Sequence, residues 1–75
     1  MPSPPLLRPR EVIHAFKNLG WEISRQKGSH IIMTKAGSMA TLSIPEHLHV
    51  ARGTLRSLID KAGITLEAFL DAANR

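Results

Sequence analysis

The pattern of apolar positions changes its period twice along the chain. In the first part, four apolar residues lie at i, i+3, i+4 and i+7 of a helical period: Val12, Ala15, Phe16 and Leu19. Pro9 suits the first position of a helix, and Gly20 supplies a left-handed stop. This pattern predicts an amphipathic helix that ends at Gly20.

After Gly20 the period becomes two, which is typical of strands. The first such segment places Trp21, Ile23 and Arg25 on one face. Reversals at Lys27-Gly28 and Gly37-Ser38 then separate it from segments 29–35 and 40–44. Pro45 ends the third strand because proline cannot donate to the ladder. We therefore predict a three-stranded antiparallel meander.

The helical period returns near Ala51 and continues to the end of the chain. One stripe ends at Gly63, and its apolar members are Leu55, Leu58, Ile59 and Ala62. Thr65 caps a last helix, whose stripe is Leu66, Phe69, Leu70 and Ala73. The predicted order is αβββαα, a two-layer α+β fold with the helices on one face of the sheet. Double-stranded RNA-binding domains have an architecture of this kind.

Length and composition indicate one small domain. The 75 residues allow one core, which we assign to residues 8–75, and residues 1–7 are predicted to form a flexible, proline-rich arm. Cysteine is absent, the start has no signal-peptide pattern, and apolar runs such as Ile31-Ile32-Met33 are too short to cross a membrane. We therefore expect a cytoplasmic protein without a membrane segment.

Charge is unevenly distributed along the chain. The formal net charge is +4, and residues 1–56 carry +5 whereas residues 57–75 carry −1. A basic balance in so small a domain is typical of nucleic-acid binders, because neutralised phosphates release counterions. The alternative is ordinary solvated surface charge.

His30 is the residue best suited to chemistry. It follows the turn at Gly28, where the missing side chain lets a substrate backbone approach, and alternation places it with Ile32 on the solvent side. Histidine is the side chain best able to transfer protons near neutral pH. Arg25 and Lys27 precede the turn and are placed to hold a phosphate. The alternative is a surface histidine on a strand.

Other residues offer further contacts and further alternatives. Arg52 and Arg56 lie one helical turn apart, beside the possible anion-binding amides of Gly53-Thr54. A metal site is a less favoured alternative, with these ligands: His30, Glu46, His47 and His49. A serine-histidine-acid triad is poorly supported, because adjacent Ser29 and His30 point to opposite faces of the sheet.

Five short motifs resemble, in order, those of the HicA family of toxin–antitoxin toxins. They are Leu19-Gly20-Trp21, Arg25-Gln26-Lys27-Gly28-Ser29-His30, Ile44-Pro45-Glu46-His47, Gly53-Thr54-Leu55-Arg56-Ser57-Leu58 and Ala62-Gly63-Ile64-Thr65. The resemblance implies an mRNA interferase with a fold similar to a double-stranded RNA-binding domain, which needs no metal cofactor and is silenced by a HicB-type antitoxin. It also implies that His30 is catalytic. The turn 34–38 departs from the His-Pro-rich turn of many relatives.

The residues and the resemblance together predict a site on this protein that binds and cleaves RNA. His30 is expected to transfer a proton, and His47 is a candidate for the second acid or base. The expected RNA contacts are Arg25, Lys27, Gly28, Ser29, His47, Arg52 and Arg56. Two other classes are open: a non-catalytic RNA-binding module, and a helix-turn-helix DNA binder within residues 52–75. Glu67 and Asp71 disfavour the second, because they would repel a DNA backbone.

Overall fold

The structure is a computed structural model that describes residues 4–75. Its elements are α1 (Pro9–Asn18), β1 (Glu22–Lys27), β2 (His30–Thr34), β3 (Thr41–Pro45), α2 (Arg52–Ala62) and α3 (Leu66–Ala73). The strands form one antiparallel sheet in the order β1-β2-β3. The predicted α+β fold with the order αβββαα is therefore confirmed.

Helix ends follow the capping signals in the sequence. Pro9 begins α1, and the backbone N–H of Arg8 donates to Glu11 Oε1 at 2.9 Å. Gly63 ends α2 in the left-handed region with φ +72°. Thr65 Oγ1 accepts from the backbone N–H of Ala68 at 3.1 Å and so caps α3.

The two faces of the sheet have different surroundings. We call the face that packs against the helices the inner face; its buried residues on β2 and β3 are Ile31, Met33, Leu42 and Ile44. On the outer face, His30 and Thr34 are exposed and Ile32 is half-buried. Helices α1 and α2 pack against β3, whereas β1 contacts chiefly β2. The core thus lies under β2 and β3.

The three aromatic residues of the chain are all in this core. Phe16 packs against Phe69 with ring centroids 5.2 Å apart, and against Trp21 edge-on at 6.3 Å. All three rings are at most 2% exposed. They join α1, α3 and the start of the sheet, and they leave no aromatic side chain for the surface.

Strand β1 corrects the predicted alternation. Ile23 pairs with Met33 and Arg25 pairs with Ile32, so Ser24 is an extra residue in a β-bulge. Arg25 therefore lies on the outer face, and the prediction that it shares a face with Ile23 is wrong. The physical reason is that β1 is exposed throughout and contacts chiefly β2, so packing against the helices does little to enforce regular alternation there.

Residues 4–7 of the predicted arm contact the domain. Pro4 is buried, and its carbonyl accepts a hydrogen bond from Arg52 Nε at 3.1 Å. The carbonyl of Leu7 accepts from the backbone N–H of Val50 at 2.7 Å. The predicted flexibility of the arm stays a prediction, and its residues 1–3 lie outside the described residues. Within residues 4–75, no helix is long and apolar enough to cross a membrane.

The caps allow a stability prediction. Replacing Thr65 by Ala should lower the free energy of unfolding by about 1 kcal/mol, because the Ala68 N–H loses its acceptor. Ser57→Ala is the matched control. Ser57 Oγ donates back to the Gly53 carbonyl within α2, so the change to alanine should be neutral or stabilise by about 0.5 kcal/mol. Urea unfolding of both variants measures the contrast, and equal destabilisation would contradict it.

Candidate functional site

A tight turn joins β1 to β2. Gly28 has φ +59°, whereas Ser29 has a negative φ, which is the combination of a type II′ hairpin turn with glycine first. A Cβ built on Gly28 would meet nothing within 4 Å. The turn therefore needs glycine for its backbone conformation, and its backbone is open to an approaching ligand.

The outer face beside this turn is basic. Lys27 pairs directly with His30, and Arg25 pairs with Ile32 in the next row. Directly opposed residues share a face with Cβ atoms about 5 Å apart. Within the part of the chain that the structure describes, the side chains of Arg25 and Lys27 have no hydrogen bond or ion pair. Both positive charges are thus free to contact an anion beside the exposed His30 imidazole.

The loop after β3 begins at the same end of the sheet. His30 lies between Lys27 on β1 and Pro45 on β3, and it pairs with both. Immediately beyond the pair of His30 and Pro45, the backbone N–H of Glu46 donates to the carbonyl of Ser29 at 2.7 Å. His47 follows and is exposed. The structure therefore brings the loop that carries His47 to the turn that carries His30.

Sequence reasoning missed a side-chain contact at this junction. Gln26 Nε2 donates to Glu46 Oε1 at 2.6 Å and to the Gly28 carbonyl at 3.2 Å. Gln26 pairs with Ile31 and so belongs to the inner face, opposite to His30. The one feature of the sequence that pointed to this contact is that Gln26 and Glu46 each lie in a motif that also contains a candidate site histidine.

Arg52 and Arg56 have other surroundings. Arg52 bonds to Pro4, and Arg56 lines a cavity of about 220 Å³ with Pro4 and the start of α3. Across residues 4–75, neither arginine hydrogen-bonds to the hairpin. The hairpin thus unites Arg25, Lys27, Gly28, Ser29 and His30, while RNA contact by Arg52 and Arg56 stays a prediction.

The metal-site and DNA-binding alternatives find little support in this geometry. Among residues 4–75, no group of three or more His, Cys, Asp or Glu side chains is arranged to hold a metal ion. Helix α3 carries Glu67 and Asp71, and its Arg75 neighbour pairs with Asp71 at 3.0 Å. This ion pair removes part of the positive charge that a DNA-binding α3 would need.

Comparison with known proteins gives one family. The model of the family described as HicA toxin of bacterial toxin-antitoxin matches residues 9–64, about three quarters of the chain. This range begins at α1, contains the whole sheet and the α2 helix, and ends after Gly63. No curated protein sequence matches the chain significantly.

Two glycines with open surroundings should respond oppositely to alanine. Gly28→Ala forces a Cβ into the left-handed region and should cost about 1–2 kcal/mol of unfolding free energy. Gly53→Ala lies in α2 without positive φ and should stabilise by about 0.5–1 kcal/mol. Chemical unfolding of both variants measures the difference. A neutral Gly28→Ala would argue against the turn described above.

Proposed function

This chain belongs to the HicA toxin family of bacterial toxin–antitoxin systems, and from that premise we propose that it is an endoribonuclease that cleaves mRNA. The observation that carries the proposal is the outer-face arrangement of an exposed histidine directly opposite Lys27, with Arg25 in the adjacent row. A ribonuclease that uses the 2′-hydroxyl needs a proton acceptor, a proton donor and positive charge near the phosphate, and this arrangement provides one proton-transfer group and the charge. Since mRNA is the substrate, we place the activity in the cytoplasm.

RNA supplies its own nucleophile in this proposal. His30 takes the proton from a ribose 2′-hydroxyl as that oxygen attacks the adjacent phosphorus. The bond from phosphorus to the 5′-oxygen then breaks, and the leaving oxygen receives a proton from a second group, for which His47 is the candidate. The products are a 2′,3′-cyclic phosphate and a 5′-hydroxyl. Neither proton transfer needs a metal ion.

Arg25 and Lys27 would bind the phosphate that reacts. Arginine presents a planar fork to phosphate oxygens, while lysine supplies a compact charge. Negative charge on the phosphate oxygens increases as the new bond forms, so nearby cations stabilise the transition state more than the ground state. The open backbone at Gly28 leaves room for the RNA strand to reach both side chains.

Stacking of bases on Phe, Trp or Tyr side chains is not available to this chain. Many single-strand RNA binders stack bases on exposed rings, but Phe16, Trp21 and Phe69 are buried here and the chain has no other Phe, Trp or Tyr. We propose that binding relies mainly on phosphate contacts.

The proposed partner that neutralises the toxin is a HicB-type antitoxin.

Loss of the His30 imidazole should abolish cleavage. His30→Ala should reduce cleavage of a single-stranded RNA to background and leave thermal unfolding unchanged, because His30 is exposed and contributes little to packing. His49→Ala, in the same loop as His47, is the matched control and should remain active. Cleavage by the native chain should persist in EDTA and yield cyclic phosphate ends. A His30→Ala protein that still cleaves would refute this mechanism, and RNA binding without cleavage by the native chain would favour a non-catalytic module.

The phosphate contacts should appear in the salt dependence of binding. With His30→Ala as the background, so that RNA stays intact, Arg25→Gln and Lys27→Gln should each weaken RNA binding. Each should also reduce the slope of log K against log salt by about 0.7. Lys61→Gln, in α2 on the acidic C-terminal part of the chain, should leave the slope unchanged. Titrations at several salt concentrations measure this, and slopes for Arg25→Gln and Lys27→Gln equal to that of the background would exclude the assigned contacts.

A further inference from the structure

Two separate segments meet beside His30. The β1–β2 turn contains Gly28 and Ser29, and the loop 46–50 follows β3. The Glu46 N–H to Ser29 carbonyl bond, 2.7 Å long, continues the pairing of β2 with β3 by one residue beyond His30 and Pro45. Two catalytic groups are proposed, His30 directly after the turn and His47 in the loop, so the relation between these segments affects the distance between the two groups.

Gln26 strengthens this junction from the opposite face of the sheet. Its carboxamide nitrogen has two hydrogens and donates to two acceptors, the carboxylate of Glu46 and the carbonyl of Gly28. The contact to Glu46, at 2.6 Å, is short and charge-assisted, which makes it stronger than a neutral hydrogen bond. One side chain thereby joins the turn to the loop.

Resting on the proposed ribonuclease function, we propose that Gln26 and Glu46 form a clamp that positions the His30 turn against the loop carrying His47. Both are positioning residues, since pairing places Gln26 on the face away from the outer-face site and the Glu46 carboxylate contacts Gln26 there. The clamp also holds the Glu46 carboxylate against an amide on that face, away from the bound phosphate, which it would repel. Displacement of a catalytic group by about 1 Å lowers the rate about 100-fold, so a modest surface contact has a measurable effect here.

The residue types are those that the clamp requires. Gln26 must donate to both of its acceptors, which an amide does and an ionised carboxylate cannot. Gln26→Glu would place two carboxylates in contact and remove the bond to Gly28. Glu46→Gln keeps an acceptor oxygen and loses only the charge. The double variant restores the hydrogen bond between the two side chains with the roles exchanged: the side chain at position 46 donates and the one at position 26 accepts.

Steady-state cleavage of a short single-stranded RNA tests the proposal. Gln26→Glu should lower kcat about 10- to 100-fold with little change in KM, because the catalytic groups move while the phosphate-binding side chains remain. Glu46→Gln should have a smaller effect. The Gln26→Glu, Glu46→Gln double variant should recover at least half of the lost kcat on a logarithmic scale. Ser38→Ala, which removes a side-chain bond to the Ala40 N–H in the other hairpin, is the control and should retain native kcat.

Amide hydrogen exchange of the Glu46 N–H provides a readout that does not need catalysis. Exchange should be slow in the native chain, fast in Gln26→Glu and slowed again in the double variant. If Gln26→Glu keeps native kcat, or the double variant recovers nothing, the positioning role is wrong. A Glu46→Gln loss as severe as that of His30→Ala would instead make Glu46 an acid or base. If the native chain cleaves no RNA, the ribonuclease proposal fails, and exchange alone decides whether the clamp exists.

Discussion

Burial of Ile31 and Met33 against the helices determines on which side of the sheet the proposed functional residues lie. Successive side chains of a strand point to opposite faces, so the burial of these two residues orients His30 outward, and pairing then orients Lys27 with it. Each buried aliphatic side chain contributes about 1.5–3 kcal/mol, more than a typical exposed polar contact. The apolar inner face therefore orients a polar site whose own residues contribute little to stability.

The same core limits what the surface can do. A domain of 75 residues has a small core, and this one uses all three of its aromatic rings to join α1, α3 and the sheet. Apart from Ile32 and Pro45, the outer face is consequently left with charges, hydroxyls and an imidazole. Such a surface contacts the repeating phosphates of a nucleic acid more readily than its individual bases, so the composition of the core supports the proposed reliance on phosphate contacts.

The sequence allowed prediction of all six elements and of the outward orientation of His30, because strong periodicity and capping residues such as Pro9, Gly63 and Thr65 are local signals. The bulge at Ser24 was not predictable in this way. It depends on which residues of β2 find partners and on how little the helices cover β1. The contacts of Pro4 with Arg52, and of Gln26 with Glu46, were missed for a related reason: they join residues 48 and 20 positions apart, for which a single sequence carries no periodic signal.

The bulge in β1 also determines where the chain tolerates a change of length. Ser24 is the residue without a partner, and the pairs on either side, Ile23 with Met33 and Arg25 with Ile32, are already adjacent on β2. Deletion of Ser24 would leave every other pair of β1 and β2 in register and merely convert the bulge into a regular strand. Deletion between Arg25 and His30 would instead exchange the two faces of β1 or destroy the turn. Among relatives of this protein, insertions and deletions in the first hairpin should therefore accumulate at the bulge and be excluded from the turn.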